Sequence, residues 1–432
     1  MTAALIAVFT LVTYLLLGGA LPFVFGSALL VMRFVGNIPV SGLFLWAISQ
    51  LVNPAMLTLP LFLFAGNLMG KSGIASKLLD FVDIWVGRIR GGLGVVSIVT
   101  CAIIGSLTGA AMTGVACIGP IMMPHMIKQG YPRGYTTALI CSASILGQLI
   151  PPSIIMIVYG WITETSIAIC FLSTLLPGLL VTFSFSLVNL IYARKFDLLL
   201  EEKLTWREKR KSAIVRTIKA LPALMMPVFV LGGIYGGIIT VTEAAAVAVL
   251  YTFPIGFWVY KGFSRKGFLE TAFDSATSVG TIMIMITLSL IVGQSFTLMQ
   301  LPQALAKAIL SISSNKYVIL LLINIILVIL GMLVSDVSGV ILVVPLMLPL
   351  VKALGVSTVQ FGAIVGVNLA MGGITPPYAA VLYLGMKISK SGFWETVKPT
   401  IVLICVGYAP VLILTNLFPE IALFFPKLFG LM

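Results

Sequence analysis

Long apolar runs separated by short polar interruptions set the pattern of this chain. They fall at about 3–32, 41–70, 93–127, 134–160, 166–193, 220–260, 276–299, 317–351, 359–386 and 397–425. A membrane-crossing helix needs about 20 apolar residues, so the runs predict an all-α polytopic membrane protein with roughly 10 to 14 membrane segments. The longest runs have room for two crossings or a re-entrant hairpin. The first lacks a basic start and stays apolar beyond a secretory h-region, so it reads as a retained span.

Several runs are interrupted in a repeating way. Gly114, Pro120, Met122, Pro124, Gly130, Gly147, Pro151, Pro152 and Gly160 recur 225 residues later as Gly339, Pro345, Met347, Pro349, Gly355, Gly372, Pro376, Pro377 and Gly385. Helix-punctuating residues in one ungapped register imply an internal duplication. Proline lacks an N–H and clashes with the preceding turn, and glycine permits non-helical backbone. Both copies therefore predict unwound segments at membrane depth. Lipid offers no hydrogen-bond partner, so the freed carbonyls must face a cavity, an ion or protein. Two such hairpins meeting at the membrane centre are how repeat-built secondary transporters make their sites.

Composition narrows the class. With 432 residues, 60% hydrophobic and 9% charged, the chain departs far from soluble globules, in which about a quarter of residues are charged. The one strongly polar tract, 194–219, carries nine basic and four acidic residues. By the positive-inside rule it is a cytoplasmic linker, dividing an N-terminal half, 1–193, from a C-terminal half, 220–432. Lys261, Arg265 and Lys266 belong on the same side, and 220–260 then holds two crossings joined near Gly236–Glu243. Topology thus accounts for most of the net charge of +13, and no nucleic-acid surface is expected. The five cysteines stand singly in apolar segments and read as packing residues.

Candidate chemistry lies at the interruptions. Carbonyls released at a break, with Ser335, Ser338 or Thr375, would form a cage of about five or six oxygens for a small cation. Half-helix N-termini would present amide dipoles to an anion. Asp336, embedded in an apolar setting, must be paired, protonated, ion-bound or open to a vestibule, since a lone carboxylate there costs at least about 2.5 kcal/mol. Glu243 reads as a helix-start anchor with Thr242 or Thr240 as cap, or as a linkage to ion or substrate. His125, the only histidine, has Leu350 at the matching position, which favours packing. Lys128 and Arg133 mark a segment boundary, and Arg88 and Arg90 orient a neighbouring span.

No catalytic motif, no ATPase phosphate loop and no spaced set of metal ligands is present, so neither an enzyme nor a cofactor is expected. The readings open at this level are a transporter driven by an ion gradient, which a self-contained cage favours over a partner's ATPase, with a stand-alone proton- or Na⁺-coupled anion permease titrating Asp336 as one form of it, and an ion channel as the reading of another class.

Longer stretches carry a resemblance: LPLFLFAGNLM at 59–69, GRIRGGLGVV at 87–96, GPIMMPHMIKQGY at 119–131, IPPSIIMIVYG at 150–160, GGIYGGIITVTEAAAVAVLY at 232–251 and FGAIVGVNLAMGGITPPYAAVLYLG at 361–385. Together they resemble the large membrane subunit of tripartite ATP-independent periplasmic (TRAP) transporters, the DctM-like family. The resemblance implies two inverted-topology repeats with re-entrant hairpins and discontinuous helices in an elevator-type fold. It also implies residence in the bacterial inner membrane and Na⁺-coupled import of an organic acid such as a C4-dicarboxylate or sialic acid. The implied partners are a small membrane subunit of about four spans and a periplasmic solute-binding protein.

By position, the implied cation set is Ser106, Thr108, Gly109, Thr113, Gly331, Ser335, Asp336, Gly372 and Thr375. The implied substrate-side hairpin residues are Gly147, Pro151, Pro152, Ser153, Gly373, Pro376 and Pro377. One departure stands out: where the family often has Gly-Ser-Ser, this chain has Gly109, Ala110 and Ala111, losing two hydroxyls that Ser106, Thr108, Thr113 or backbone carbonyls would have to replace.

Overall fold

The computed structural model describes residues 2–199, 205–313 and 315–432, and residues 200–204 of the predicted linker lie outside the described residues. No strand occurs among the described residues. The first half contains α1 (Thr2–Leu16), α2 (Leu21–Phe34), α3 (Val40–Leu51), α4 (Pro54–Lys71), α5 (Ile74–Val86), α6 (Gly92–Thr108), α7 (Ala111–Lys128), α8 (Arg133–Ser144), α9 (Leu146–Leu149), α10 (Ile154–Thr163) and α11 (Ile167–Tyr192). The second contains α12 (Trp206–Tyr235), α13 (Val241–Pro254), α14 (Arg265–Leu298), α15 (Leu301–Ile312), α16 (Lys316–Gly331), α17 (Asp336–Ala353), α18 (Thr358–Gly372), α19 (Ala380–Ser389), α20 (Phe393–Val402), α21 (Ala409–Leu417) and α22 (Pro419–Leu428).

Among the described residues, seven helices are long and apolar enough to cross a membrane, or eight if the bent α3–α4 pair counts as one. Seven shorter apolar helices join them. The first apolar run is not one continuous rod. Gly18 adopts φ +79° and Pro22 stands in the first turn of α2, so the run folds into the short antiparallel candidates α1 and α2, packed on each other. The run 220–260 divides where expected: α12 ends at Tyr235, and Thr240 caps α13.

The 225-residue period reaches the helix boundaries. α7 and α17 begin at Ala111 and Asp336, and α8 and α18 at Arg133 and Thr358, each pair 225 apart. Packing partners exchange between halves. α2 packs on α14 while α4 packs on α13, α10 on α17 while α7 packs on α19, and α11 on α18 while α8 packs on α20. Specific contacts exchange as well. Arg133, at the start of α8, donates to the Lys390 carbonyl just after α19 at 3.5 Å, and Tyr159 in α10 donates to the Thr358 carbonyl at the start of α18 at 2.5 Å. Matching helices of the two halves thus pack on each other reciprocally.

The copies differ where their sequences do. Pro54 in the first half separates α3 from α4 with a 64° bend, with Asn53 as N-cap. The matching position is Val279, and α14 there runs unbroken for 34 residues. Proline removes an N–H and obstructs the preceding turn, and valine does neither.

The interior is built around the interrupted helices. The most apolar window of the Arg133–Thr163 span is buried throughout, whereas only 22% of that of α12 is buried. Between helices in lipid, close backbone approach and van der Waals packing supply the adhesion.

Candidate functional site

The first break lies between α6 and α7. Thr108 ends one helix, Gly109 turns back with φ +66°, Ala110 is extended, and Ala111 starts the next. Ser97, early in α6, reaches Met126, late in α7, at 3.4 Å, so the two helices form an antiparallel hairpin with its tip at Gly109–Ala110. The Pro151–Pro152 pair sits elsewhere than in that hairpin. It interrupts the buried Arg133–Thr163 span between α9 and α10, with Ile150 and Ser153 extended on either side. The diproline therefore belongs to a discontinuous helix, because the chain resumes its course after four non-helical residues, 150–153, instead of reversing.

Hairpin tip and discontinuous helix touch. Ile154 N–H donates to the Gly109 carbonyl at 3.5 Å, and a Cβ on Gly109 would lie 2.8 Å from the Pro152 oxygen. A Cβ on Gly105 would lie 2.2 Å from Gly147 Cα, so only glycine permits this approach. The second half repeats the arrangement. Residues 332–335 join α16 to α17, residues 373–379 interrupt α18 and α19, and Tyr378 N–H donates to the Met332 carbonyl at 3.0 Å. There a Cβ on Gly372 would lie 2.1 Å from the Gly331 oxygen.

A side-chain contact joins the two interrupted regions. Gln148 in α9, 7% exposed, donates its side-chain amide to the Asp336 carboxylate at the start of α17. The other Asp336 oxygen accepts from Val337 N–H at 3.0 Å. Asp336 therefore stands at the positive end of α17, where a carboxylate is favoured. Ser153 donates to the Gln148 carbonyl at 2.5 Å, fixing the residue that reaches across. The Gln148 side-chain oxygen is buried and has no hydrogen-bond partner among the described residues.

The remaining candidates take varied places. Ser106 donates to Ile103 O at 2.7 Å, Thr108 to Ala110 O at 3.5 Å, and Thr375 to Met371 O at 2.8 Å. Each leaves hydroxyl lone pairs beside a break. Ser335 donates to Ser338 at 3.0 Å next to Asp336. Thr113 lies one turn into α7, facing Gly70 of α4. Gly373, Pro376 and Pro377 lie in the 373–379 interruption. Glu243 stands apart: exposed, it accepts from Thr240 N–H at 2.7 Å in a reciprocal cap of α13. His125 lines a separate cavity with Asp80, Asp83 and Arg216. Among the described residues no His, Cys, Asp and Glu cluster could hold a metal ion.

Two groups escape sequence reasoning. Gln148 matches Gly373 at the second copy, so the repeat register does not flag it; a carboxamide beside a diproline in an apolar run was the available signal. Asn324, Asn368 and Asn416 gather from α16, α18 and α21, with Asn324 bonded to both others. They lie far apart in sequence and their first-half counterparts are Val99, Ala143 and Ile191.

A cavity of about 450 Å³ separates α3 and α14 from α10 and α17, lined by Trp46, Gln50, Glu164, Gln294 and Pro345 among others. It lies between helices outside the two breaks and helices that carry them.

Comparison with known proteins accords with this geometry. The YdaH transporter of Alcanivorax borkumensis superposes with a TM-score of 0.61 at 15% identity, covering 90% of this chain and 89% of that one. The isethionate TRAP transporter permease protein DctMQ of Oleidesulfovibrio alaskensis is 31% identical over 404 residues, 92% of this chain but 62% of that longer protein. The C4-dicarboxylate TRAP transporter large permease protein DctM of Pseudomonas aeruginosa is 31% identical over 376 residues, 87% of each chain. The ectoine/5-hydroxyectoine TRAP transporter large permease protein UehC of Ruegeria pomeroyi is 32% identical over 96% of both chains. The family model for the tripartite ATP-independent periplasmic transporter, DctM component, matches residues 4–421. With paired helix interruptions in register and a family match across nearly its whole length, this multi-pass membrane chain belongs to the DctM family of TRAP transporter large permeases.

Proposed function

We propose that this chain is the large membrane subunit of a binding-protein-dependent secondary transporter that imports an organic acid anion, driven by a Na⁺ gradient. The observation that carries the reading is the Gln148–Asp336 contact, which places a carboxylate, a buried unpartnered amide oxygen and two sets of interrupted backbone in one region. Unwound carbonyls and side-chain oxygens of this kind suit Na⁺, and half-helix N-termini suit a carboxylate or sulfonate.

In this reading the cation joins Asp336, the free amide oxygen and nearby carbonyls, and its charge lowers the cost of burying the anionic solute. The half-loaded carrier is then disfavoured, which is the coupling. The hairpin-bearing helices move as a body against a frame of α1–α4 and α12–α14 related by inverted topology, with the amphipathic α5 and α15 as arms between them. The small membrane subunit supports the frame, a periplasmic solute-binding protein delivers the substrate, and the assembly resides in the bacterial inner membrane. Isethionate, C4-dicarboxylate, ectoine and sialic acid appear in the names of related permeases, and an organic acid fits a site of amide dipoles with few fixed cations.

Proteoliposomes containing this chain with its small subunit and binding protein test the reading. Imposed Na⁺ gradients are expected to drive uptake of one substrate from a panel of these solutes. Uptake that follows a proton gradient and ignores Na⁺ rejects the coupling ion. Uptake by the chain alone rejects the tripartite requirement, and currents far above carrier turnover indicate a channel.

A further inference from the structure

α12 has 30 residues, about 45 Å at 1.5 Å per residue against a hydrocarbon core of about 30 Å. Its excess of about 15 Å, about ten residues, falls at the N-terminal end, and 206–219 holds six basic residues and one acidic residue. Thr205 and Glu208 cap this end reciprocally, so the polar segment is ordered helix. It packs beside α5.

The contact between the two helices satisfies its own charges on one flank only. There Arg216 donates to Asp83 at 2.7 Å and to the Asp80 carbonyl at 3.0 Å. On the other flank lies a groove of about 440 Å³ whose walls are almost wholly apolar. Trp85, Trp206, Ile214 and Ile218 line it and are 57%, 79%, 52% and 64% exposed. Lys209 and Arg210 stand at its rim, and among the described residues neither has a hydrogen bond or an ion pair.

Three features coincide here. Two tryptophans mark the headgroup level of a bilayer, where indole rings settle. Ile214 and Ile218, one turn apart, continue the slot along α12 toward its apolar half. Two cations with no ion pair among the described residues sit at the outer end, as basic sites for anionic headgroups do. A zwitterionic lipid would fill the slot equally well but leave the cations without a net counter-charge.

We propose that this groove is a binding site for one anionic phospholipid, its acyl chain along Ile214 and Ile218 and its phosphate against Lys209 and Arg210. The site lies where a moving arm would meet a static frame, so the lipid would seat α5 against α12. The proposal stands independently of which solute is transported and of the coupling ion.

Native mass spectrometry of the purified full-length chain, titrated with phosphatidylglycerol or phosphatidylcholine of identical acyl chains, tests it. Phosphatidylglycerol adducts are expected to dominate. K209Q/R210Q is expected to weaken them roughly thirtyfold, from about 1 kcal/mol per basic residue at an anionic surface. K211Q/K219Q on the opposite flank removes the same charge and is expected to leave them nearly unchanged. Quenching of the wild-type tryptophan fluorescence by brominated phosphatidylglycerol, in excess of brominated phosphatidylcholine, gives a readout that needs no variant. Equal adducts from both lipids, equal loss in both charge variants, or displacement of the lipid when the small membrane subunit is bound would each overturn the proposal.

Discussion

Gln148 does at residue scale what neither half does alone. Its amide is the donor that a half-buried Asp336 carboxylate finds in the other half, and a charge-assisted bond of this kind is worth about 1.5–3 kcal/mol. Q148L is therefore expected to lower the melting temperature in detergent, D336N less so, and the double variant by less than the sum. The coupling energy should be about 1–2 kcal/mol in a double-mutant cycle. Additive losses would show that the two side chains do not meet. A second residue-scale expectation concerns glycine. In G372A the new methyl would stand 2.1 Å from the Gly331 oxygen, backbone against backbone, and relief requires separating α16 from α18. Overpacking of this sort costs about 1–3 kcal/mol. G232A adds its methyl to open space in the last turn of α12, and replacing a helical glycine there should stabilise by about 0.4–1 kcal/mol. Thermal melts of the two variants should move in opposite directions.

Individual elements show how far the sequence could be read. Apolar runs and proline spacing located the interruptions, and the starts of α7 and α17 keep the 225-residue register to the residue. Periodicity misses features that one copy lacks. Pro54 has no counterpart, and its bend makes α3 and α4 from what the second half keeps as a single α14. Hairpin and discontinuous helix were also hard to tell apart, because both are apolar helix, interruption, apolar helix; the direction of the chain after the break is a tertiary property. The asparagine group is a similar case. Asn324 accepts from Asn368 at 2.7 Å and from Asn416 at 3.0 Å, holding α16, α18 and α21 together, while Val99, Ala143 and Ile191 occupy those places in the first half. N324V alone should cost about 1–3 kcal/mol by removing the partner that the buried Asn368 and the part-buried Asn416 share, although each amide keeps a bond to its own helix. Transplanting the whole first-half set, N324V/N368A/N416I, removes donors and acceptors together and should cost less than that single change. A triple variant less stable than N324V would show that the three amides carry more than their mutual bonds.

Across the whole molecule, the proposed carrier mechanism requires two bodies that cut across both halves, and the side-chain hydrogen bonds can be sorted on that basis. α4 and α13 are joined by the Thr58–Thr242 hydroxyl pair at 2.8 Å, and α4 and α14 by Asn67–Ser275 at 3.0 Å, which ties the outer helices to each other. The interrupted helices bond chiefly among themselves, through Gln148–Asp336 and the asparagine group. The cavity of about 450 Å³ runs along the boundary between these bodies, with Gln50 on the outer side and Glu164 on the inner. If transport is a displacement of one body against the other, a covalent link within a body is harmless and a link across the boundary is not. Cys405 is exposed and the other four cysteines are wholly or partly buried, so a C405S background suits the test. A disulfide between T58C and T242C should leave uptake by the reconstituted assembly within about twofold of the reduced protein, since the expected penalty of a tether inside a rigid body is small. A bifunctional maleimide joining Q50C to E164C should abolish uptake while substrate binding persists. Equal uptake with both links would mean that the boundary does not move, and the solute would then have to cross by rearrangement confined to the interrupted segments.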